Sequence, residues 1–294
     1  MTLASVRELA RKRPEQEFVL NRLYGSVVSP YFTVVCLRLG LTPDQVTIVG
    51  GAFGALGVGL LFLPLGTWSI VGVIALQVGY VLDFSDGQVA RLTGRSSMAG
   101  GYLDWLTHFY IPVGAALALA ASVAWETGVY VVLVLGTLAA LELAAFAFSC
   151  REHVLVAIAR NDPVNAGTAA FHAALSDDVR PADVLDAPDG PAGPPVTGGI
   201  SGRRHQPTFR SVLGELLIYP GAIHLLTLAV IVDLLIRSLG IALPAGVPPF
   251  RALLLAGWAA LLLVHAPIAI RRGHAVIIAV EARAAAARSG TKEP

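Results

Sequence analysis

DFSDGQVARLTGRSSMAGGYLDWLTH, residues 83–108, sits astride the junction between two apolar runs, 68–83 and 103–124. Asp83, Asp86, Gly87 and Ala90 recur at i, i+3, i+4 and i+7, which puts them in one stripe of a helix. Gly100, Asp104 and His108 recur at i, i+4 and i+8, one stripe of the next helix. Gly94 and the serines between them supply a turn that folds the two stripes face to face. Three carboxylates and one imidazole then converge at one end of a helical hairpin.

The flanking runs decide the solvent of that hairpin. A spanning helix needs about 20 mostly apolar residues. Six stretches qualify: 44–64, 68–83, 103–124, 128–150, 211–236 and 250–270. The second reaches its first aspartate early, so its helix is expected to run on past the bilayer. The predicted fold is therefore all-α, a polytopic membrane protein of six transmembrane helices around a polar cavity. Composition agrees. Of 294 residues, 55% are hydrophobic and 14% charged, against about 25% charged in a soluble domain. That excludes a disordered chain and argues against a soluble globule. A net charge of +1 gives no basic field for nucleic acid. Cys36 and Cys150 have no metal spacing and read as reduced packing residues. The small-residue run from Gly50 to Gly57 reads as a close helix-packing surface.

Basic residues orient the bundle. With the N-terminus inside, 19 of the 21 Lys and Arg fall in inner segments, leaving Arg237 and Arg251 outside. Both termini and the carboxylate cluster are thus expected in the cytoplasm, in an integral protein of the plasma membrane. The start lacks a compact apolar run before a small-residue cleavage site, so no signal peptide is expected. Residues 1–43 form a cytoplasmic N-terminal segment in which 15–40 reads as an amphipathic surface helix interrupted by Pro30. The transmembrane domain covers 44–272, with a flexible Pro- and Gly-rich cytoplasmic loop at 161–210, and 273–294 is a cytoplasmic tail.

Charge at a membrane boundary is costly unless it is paired, solvated or bound to a cation. Carboxylates this close repel one another, which makes a divalent metal their natural partner, and oxygen ligands suit Mg²⁺ or Mn²⁺. Gly87 and Ala90 let a flat ligand lie against the helix backbone, and Arg91 offers charge to a phosphate.

The spacing D-x2-D-G-x2-A-R-x8-G-x3-D, carried by Asp83, Asp86, Gly87, Ala90, Arg91, Gly100 and Asp104, resembles the signature of the CDP-alcohol phosphotransferase (CDP-alcohol phosphatidyltransferase) family. The upstream LTPDQVT, Leu41 to Thr47, is similar to that family's Pro-Asn-x-x-Thr element, with Asp44 in the Asn position. The resemblance is specific over roughly residues 20–125; beyond them only the hydropathy agrees. It implies transfer of a phosphatidyl or similar phospho-group from a CDP-linked lipid donor to an alcohol acceptor, with release of CMP, in phospholipid biosynthesis. It also implies two divalent cations held by Asp83, Asp86 and Asp104. Thr47, Gly87, Ala90, Arg91 and Gly100 would shape the cytidine-diphosphate site, and the assembly would be a homodimer.

One position departs from the pattern. Where the family has a fourth aspartate, thought to be the base or a further metal ligand, this chain has His108. Imidazole accepts a proton near neutral pH and ligates metals, so His108 is expected as the catalytic base. Arg151, Arg160, Arg203, Arg204 and Arg210 could bind an acceptor phosphate, although topology alone predicts arginine there. Glu142, Glu215, His224, Asp233 and His265 lie within spans and read as interhelical pairing residues rather than chemistry. Two other functions fit six spans with buried acids: a small-solute or cation transporter, and an inactive relative that binds a CDP-lipid. Transporters place their acids near the bilayer midplane, whereas these cluster at one end.

Overall fold

The computed structural model describes residues 3–9, 24–95, 97–159, 221–241, 249–267 and 271. Every described element is helical: α1 (Leu3–Leu9), α2 (Ser26–Arg38), α3 (Pro43–Leu61), α4 (Thr67–Thr93), α5 (Met98–Thr127), α6 (Val131–Ala159), α7 (Gly221–Ser238) and α8 (Phe250–Pro267). Five of them, α3, α4, α5, α7 and α8, are long and apolar enough to cross a membrane. The fourth expected span corresponds to α6, whose described apolar portion, Val131–Ala145, is shorter than a crossing. The start of the fifth expected span, the 161–210 loop, Glu215 and the tail lie outside the described residues.

The second span runs on as expected. α4 extends 27 residues, to Thr93, where Gly94 stops it at φ +65° and donates its N–H to the Ala90 carbonyl. Ser97 restarts the chain by capping α5, its Oγ accepting the Gly100 N–H at 2.8 Å. α3 opens on a capping box: Gln45 N–H bonds to Thr42 Oγ1 at 3.3 Å, and Gln45 Oε1 accepts the Thr42 N–H at 2.9 Å. The small-residue run does bring helices together. A methyl on Gly57 would lie 2.7 Å from the Gly72 carbonyl oxygen, and one on Gly79 would lie 2.8 Å from that of Gly50. Only glycine permits α3 and α4 to meet backbone to backbone at those levels. Leu76, Ile111, Leu119, Ile223, Leu226 and Trp258 fill the core beside this seam.

α2 corrects one expectation. Pro30 lies inside the helix instead of interrupting it. At the fifth helical residue its ring removes a single backbone bond, to Ser26, and leaves the following ones intact. The helix is also not polar toward its surroundings. Val27, Tyr31, Val35 and Leu39 are exposed at four-residue intervals, while Ser29 and Thr33 are fully buried. That pattern fits lipid as the outer solvent.

A polar cluster closes the end of the bundle where α4 begins and α5 ends, called here the far end. Arg251 is 2% exposed. Its Nε donates to Asp233 at 2.7 Å, Nη2 to Glu126 at 2.9 Å, and Nη1 to Ser122 at 2.9 Å. Asp233 also accepts the Phe250 N–H at 2.7 Å and so caps α8 from the neighbouring helix. Glu126 accepts the Leu65 N–H at 2.6 Å, and Arg237 donates to the Leu65 carbonyl at 2.7 Å. Four chain segments are tied at one point. Asp233 is thus the interhelical pairing residue it was expected to be.

Candidate active site

The turn between α4 and α5 brings the two motif stripes together at the opposite end, the mouth. Asp83, Asp104 and His108 each offer a ligand atom, and these atoms lie within 4.8 Å of one another. His108 Nε2 is 3.7 Å from Asp83 Oδ2, and Nδ1 is 3.3 Å from Asp104 Oδ1. Nδ1 also lies 2.8 Å from the backbone carbonyl oxygen of Asp104. A carbonyl only accepts, so this contact puts the ring hydrogen on Nδ1 and leaves the Nε2 lone pair on the Asp83 side. A histidine oriented through one nitrogen by a main-chain carbonyl has its other nitrogen set up for a proton or a metal.

Asp86 is placed differently. It is 9% exposed, and its Oδ2 accepts the Thr47 hydroxyl at 2.5 Å. Thr47, in the second turn of α3, also lies 3.1 Å from the Pro43 carbonyl. Asp86 stands outside the tight donor group of Asp83, Asp104 and His108. Two carboxylates and an imidazole fit a divalent ion by donor chemistry, and among the described residues this is the group placed to hold one.

The remaining motif positions fall around this centre. Arg91 folds back so that its Nη1 would sit 3.3 Å from a methyl placed on Gly87. Ala90 is half-buried one turn further on. Gly100 faces Asp44: a methyl there would lie 2.5 Å from Asp44 Oδ1. Asp44 in turn accepts the Ser97 hydroxyl at 3.3 Å. Asp44, in the first turn of α3, therefore also touches the first turn of α5, where two helix N-termini favour its charge. A narrow cleft descends from Asp83 and Thr47 between Gly51, Thr107 and Ile111.

Sequence reasoning missed the Asp44–Ser97 contact and the Glu126–Arg251 pair. Arg251 and Glu126 at the ends of apolar runs were the signal for the second; nothing local signals the first. His224 sits between helices as expected, its Nδ1 3.3 Å from Gln77 Nε2 and its ring edge-on to Tyr80 at 4.8 Å. Glu142 is buried in α6. The side chains of Arg151, Arg160, Arg203, Arg204 and Arg210 lie outside the described residues.

Comparison with known proteins bears on this geometry. Residues 40–176 match the CDP-alcohol phosphatidyltransferase family. The chain is 37% identical over 91 residues to the inner membrane protein YnjF of Escherichia coli, covering 28% of this chain and 42% of that one. It is 35% identical over 96 residues to an archaetidylinositol phosphate synthase of Pyrococcus horikoshii, covering 33% and 45%. A phosphatidylinositol phosphate synthase of Streptomyces avermitilis is 37% identical over 81 residues, covering 28% and 32%. The chain thus spans less than half the length of these curated relatives.

Proposed function

With residues 40–176 matching the CDP-alcohol phosphatidyltransferase family, we propose that this integral membrane protein moves a phosphatidyl or similar phospho-group from a CDP-linked lipid to an alcohol, releasing CMP. The observation that carries the reading is the convergence of Asp83, Asp104 and His108 from two helices, with ligand atoms within 4.8 Å. The acceptor hydroxyl attacks the phosphorus bonded to the donor's non-nucleotide part. A new P–O bond forms, the P–O bond to CMP breaks, and CMP carries away the electron pair. The hydroxyl proton passes to Nε2 of His108, whose orientation is held by the Asp104 carbonyl.

Asp83, Asp86 and Asp104 would hold two divalent cations, Mg²⁺ or Mn²⁺, which when bound neutralise charge on the diphosphate. Thr47 keeps Asp86 aimed at the centre. Gly87 and Ala90 leave room for the nucleotide, Arg91 supplies positive charge to the diphosphate, and Gly100 keeps the α5 side clear beside Asp44. The site and both termini face the cytoplasm of the plasma membrane in this reading, with residues 44–272 forming the transferase core of a homodimer. Two of the relatives are named as inositol phosphate lipid synthases, which makes a polyol or its phosphate the first acceptor to try. The transporter reading is weaker, because the acids gather at one end of the helices rather than at mid-depth.

The test is CMP release from CDP-diacylglycerol by the purified protein across a panel of alcohols. Release that needs one acceptor class supports the transferase. Binding of CDP-lipid with no CMP from any alcohol would make the chain a non-catalytic relative. Cysteines at Gly128 and Gly246 should label from outside intact cells and one at Gly190 should not; equal labelling at Gly190 overturns the orientation.

A further inference from the structure

The face of α4 turned away from the acids carries a buried polar network that the reaction does not use. Gln88 Nε2 donates to Ser29 Oγ at 2.7 Å, and Thr33 Oγ1 donates to Gln88 Oε1 at 2.6 Å. Ser85 Oγ lies 3.3 Å from the Ser29 carbonyl. Ser29, Thr33 and Ser85 are 0% exposed and Gln88 is 7% exposed. Around them the seam between α2 and α4 is apolar: Val34 and Leu37 pack with Leu92, and Cys36 with Leu82 and Val89. Such a seam can slide; these hydrogen bonds allow one register only.

The position of the network matters. The glycine seam pins α4 to α3 as far as Gly79, and Thr47 of α3 adds one hydrogen bond to Asp86 two turns further on. Beyond the seam, α4 continues through Asp83 and Asp86 to Thr93, and its front face gathers acids beside Asp104, whose ligand atom lies within 4.8 Å of that of Asp83. Like charges at that spacing disfavour close packing of these turns unless other contacts hold them. Gln88 sits on the back of the same turns, where α2 can hold them in place. A slip of one helical turn is about 5.4 Å, more than the 3.7 Å between Asp83 and His108.

We propose that Gln88, through Ser29 and Thr33 of α2, is a positioning residue that holds the acidic turns of α4 against their own repulsion and so preorganises the cation site. The inference rests on the proposed transferase reading for its consequence in metal binding, but not for the clamp itself.

The decisive variant is Ser29→Ala/Thr33→Val/Gln88→Met, which removes both Gln88 hydrogen bonds with their partners and leaves Ser85 its Val81 and Ser29 carbonyls. A single Thr33→Val serves as the milder version if the triple variant expresses poorly. Two quantities are read on full-length protein in detergent: amide exchange without metal, and Mn²⁺ affinity by titration of the free-ion paramagnetic signal. The expected result is an unchanged melting temperature and exchange faster by about tenfold confined to residues 83–93. Mn²⁺ affinity should fall about tenfold, while CMP release at saturating Mn²⁺ returns to near the parent rate. A merely structural network would not give that split. Parent-like exchange and parent-like Mn²⁺ affinity in the triple variant overturn the proposal. If the parent itself binds no Mn²⁺, the functional reading fails, and the exchange comparison still decides the clamp.

Discussion

The two ends of this bundle use the same side chains to opposite effect. At the far end, Asp233 and Glu126 each lie within 2.9 Å of the buried guanidinium of Arg251, and backbone N–H groups of Phe250 and Leu65 complete their shells. At the mouth, Asp83 and Asp104 share the imidazole of His108 at 3.7 and 3.3 Å, and Asp86 takes a threonine hydroxyl. Charge balanced within the fold makes a fastening. Like charge gathered at an accessible mouth makes a site whose electrostatics are completed by something that binds. Removing a charge should therefore cost stability at one end and chemistry at the other.

The largest effect belongs to the fastening. Arg251→Ala leaves the buried Asp233 carboxylate without its cation and strips Glu126 of its partner, and should destabilise by about 3–5 kcal/mol, read as a fall in melting temperature. The CMP release rate per folded molecule should stay near the parent value. A selective loss of turnover with an unchanged melt would erase the distinction between the ends.

Next comes the mouth itself. Asp83→Asn or Asp104→Asn should lower CMP release by about 10²-fold or more, with the melting temperature unchanged or slightly raised because a repulsion is relieved. Loss of fold in step with loss of rate would show these acids to be structural after all.

His108 sharpens the comparison within the mouth. His108→Ala should remove most activity while donor binding survives, and His108→Asp should retain or raise turnover with a changed metal preference. A His108→Gln protein as active as the parent would contradict the base assignment. The smallest effect is expected at Thr47→Val, which takes one charge-assisted hydrogen bond from Asp86 and should slow CMP release by about tenfold.

The contrast also explains what could be read before folding. The motif stripes were legible because helix period alone decides that Asp83 and Asp86, or Asp104 and His108, share a face, and because Gly94 and Ser97 mark where the chain turns. Contacts between helices were not. Asp44 with Ser97, Thr47 with Asp86 and Arg251 with Glu126 depend on the relative rotation of segments far apart in sequence. No local pattern encodes that rotation. Pro30 misled because the rule that proline ends helices weighs a full turn of lost bonds, whereas near a helix start only one is lost. Which way the faces of α2 turn was not legible either: its polar face meets Gln88 and its apolar face is exposed, which depends on the helix packed beside it.

The central claim is that the mouth is a metal-dependent transfer centre, and CMP release during chelation and add-back tests it most directly. With CDP-diacylglycerol and a productive alcohol, turnover should stop in EDTA and return on titration with Mg²⁺ or Mn²⁺ in the parent, and fail to return in Asp83→Asn at the same ion concentrations. Undiminished CMP release in EDTA, or full recovery in Asp83→Asn, would contradict the account.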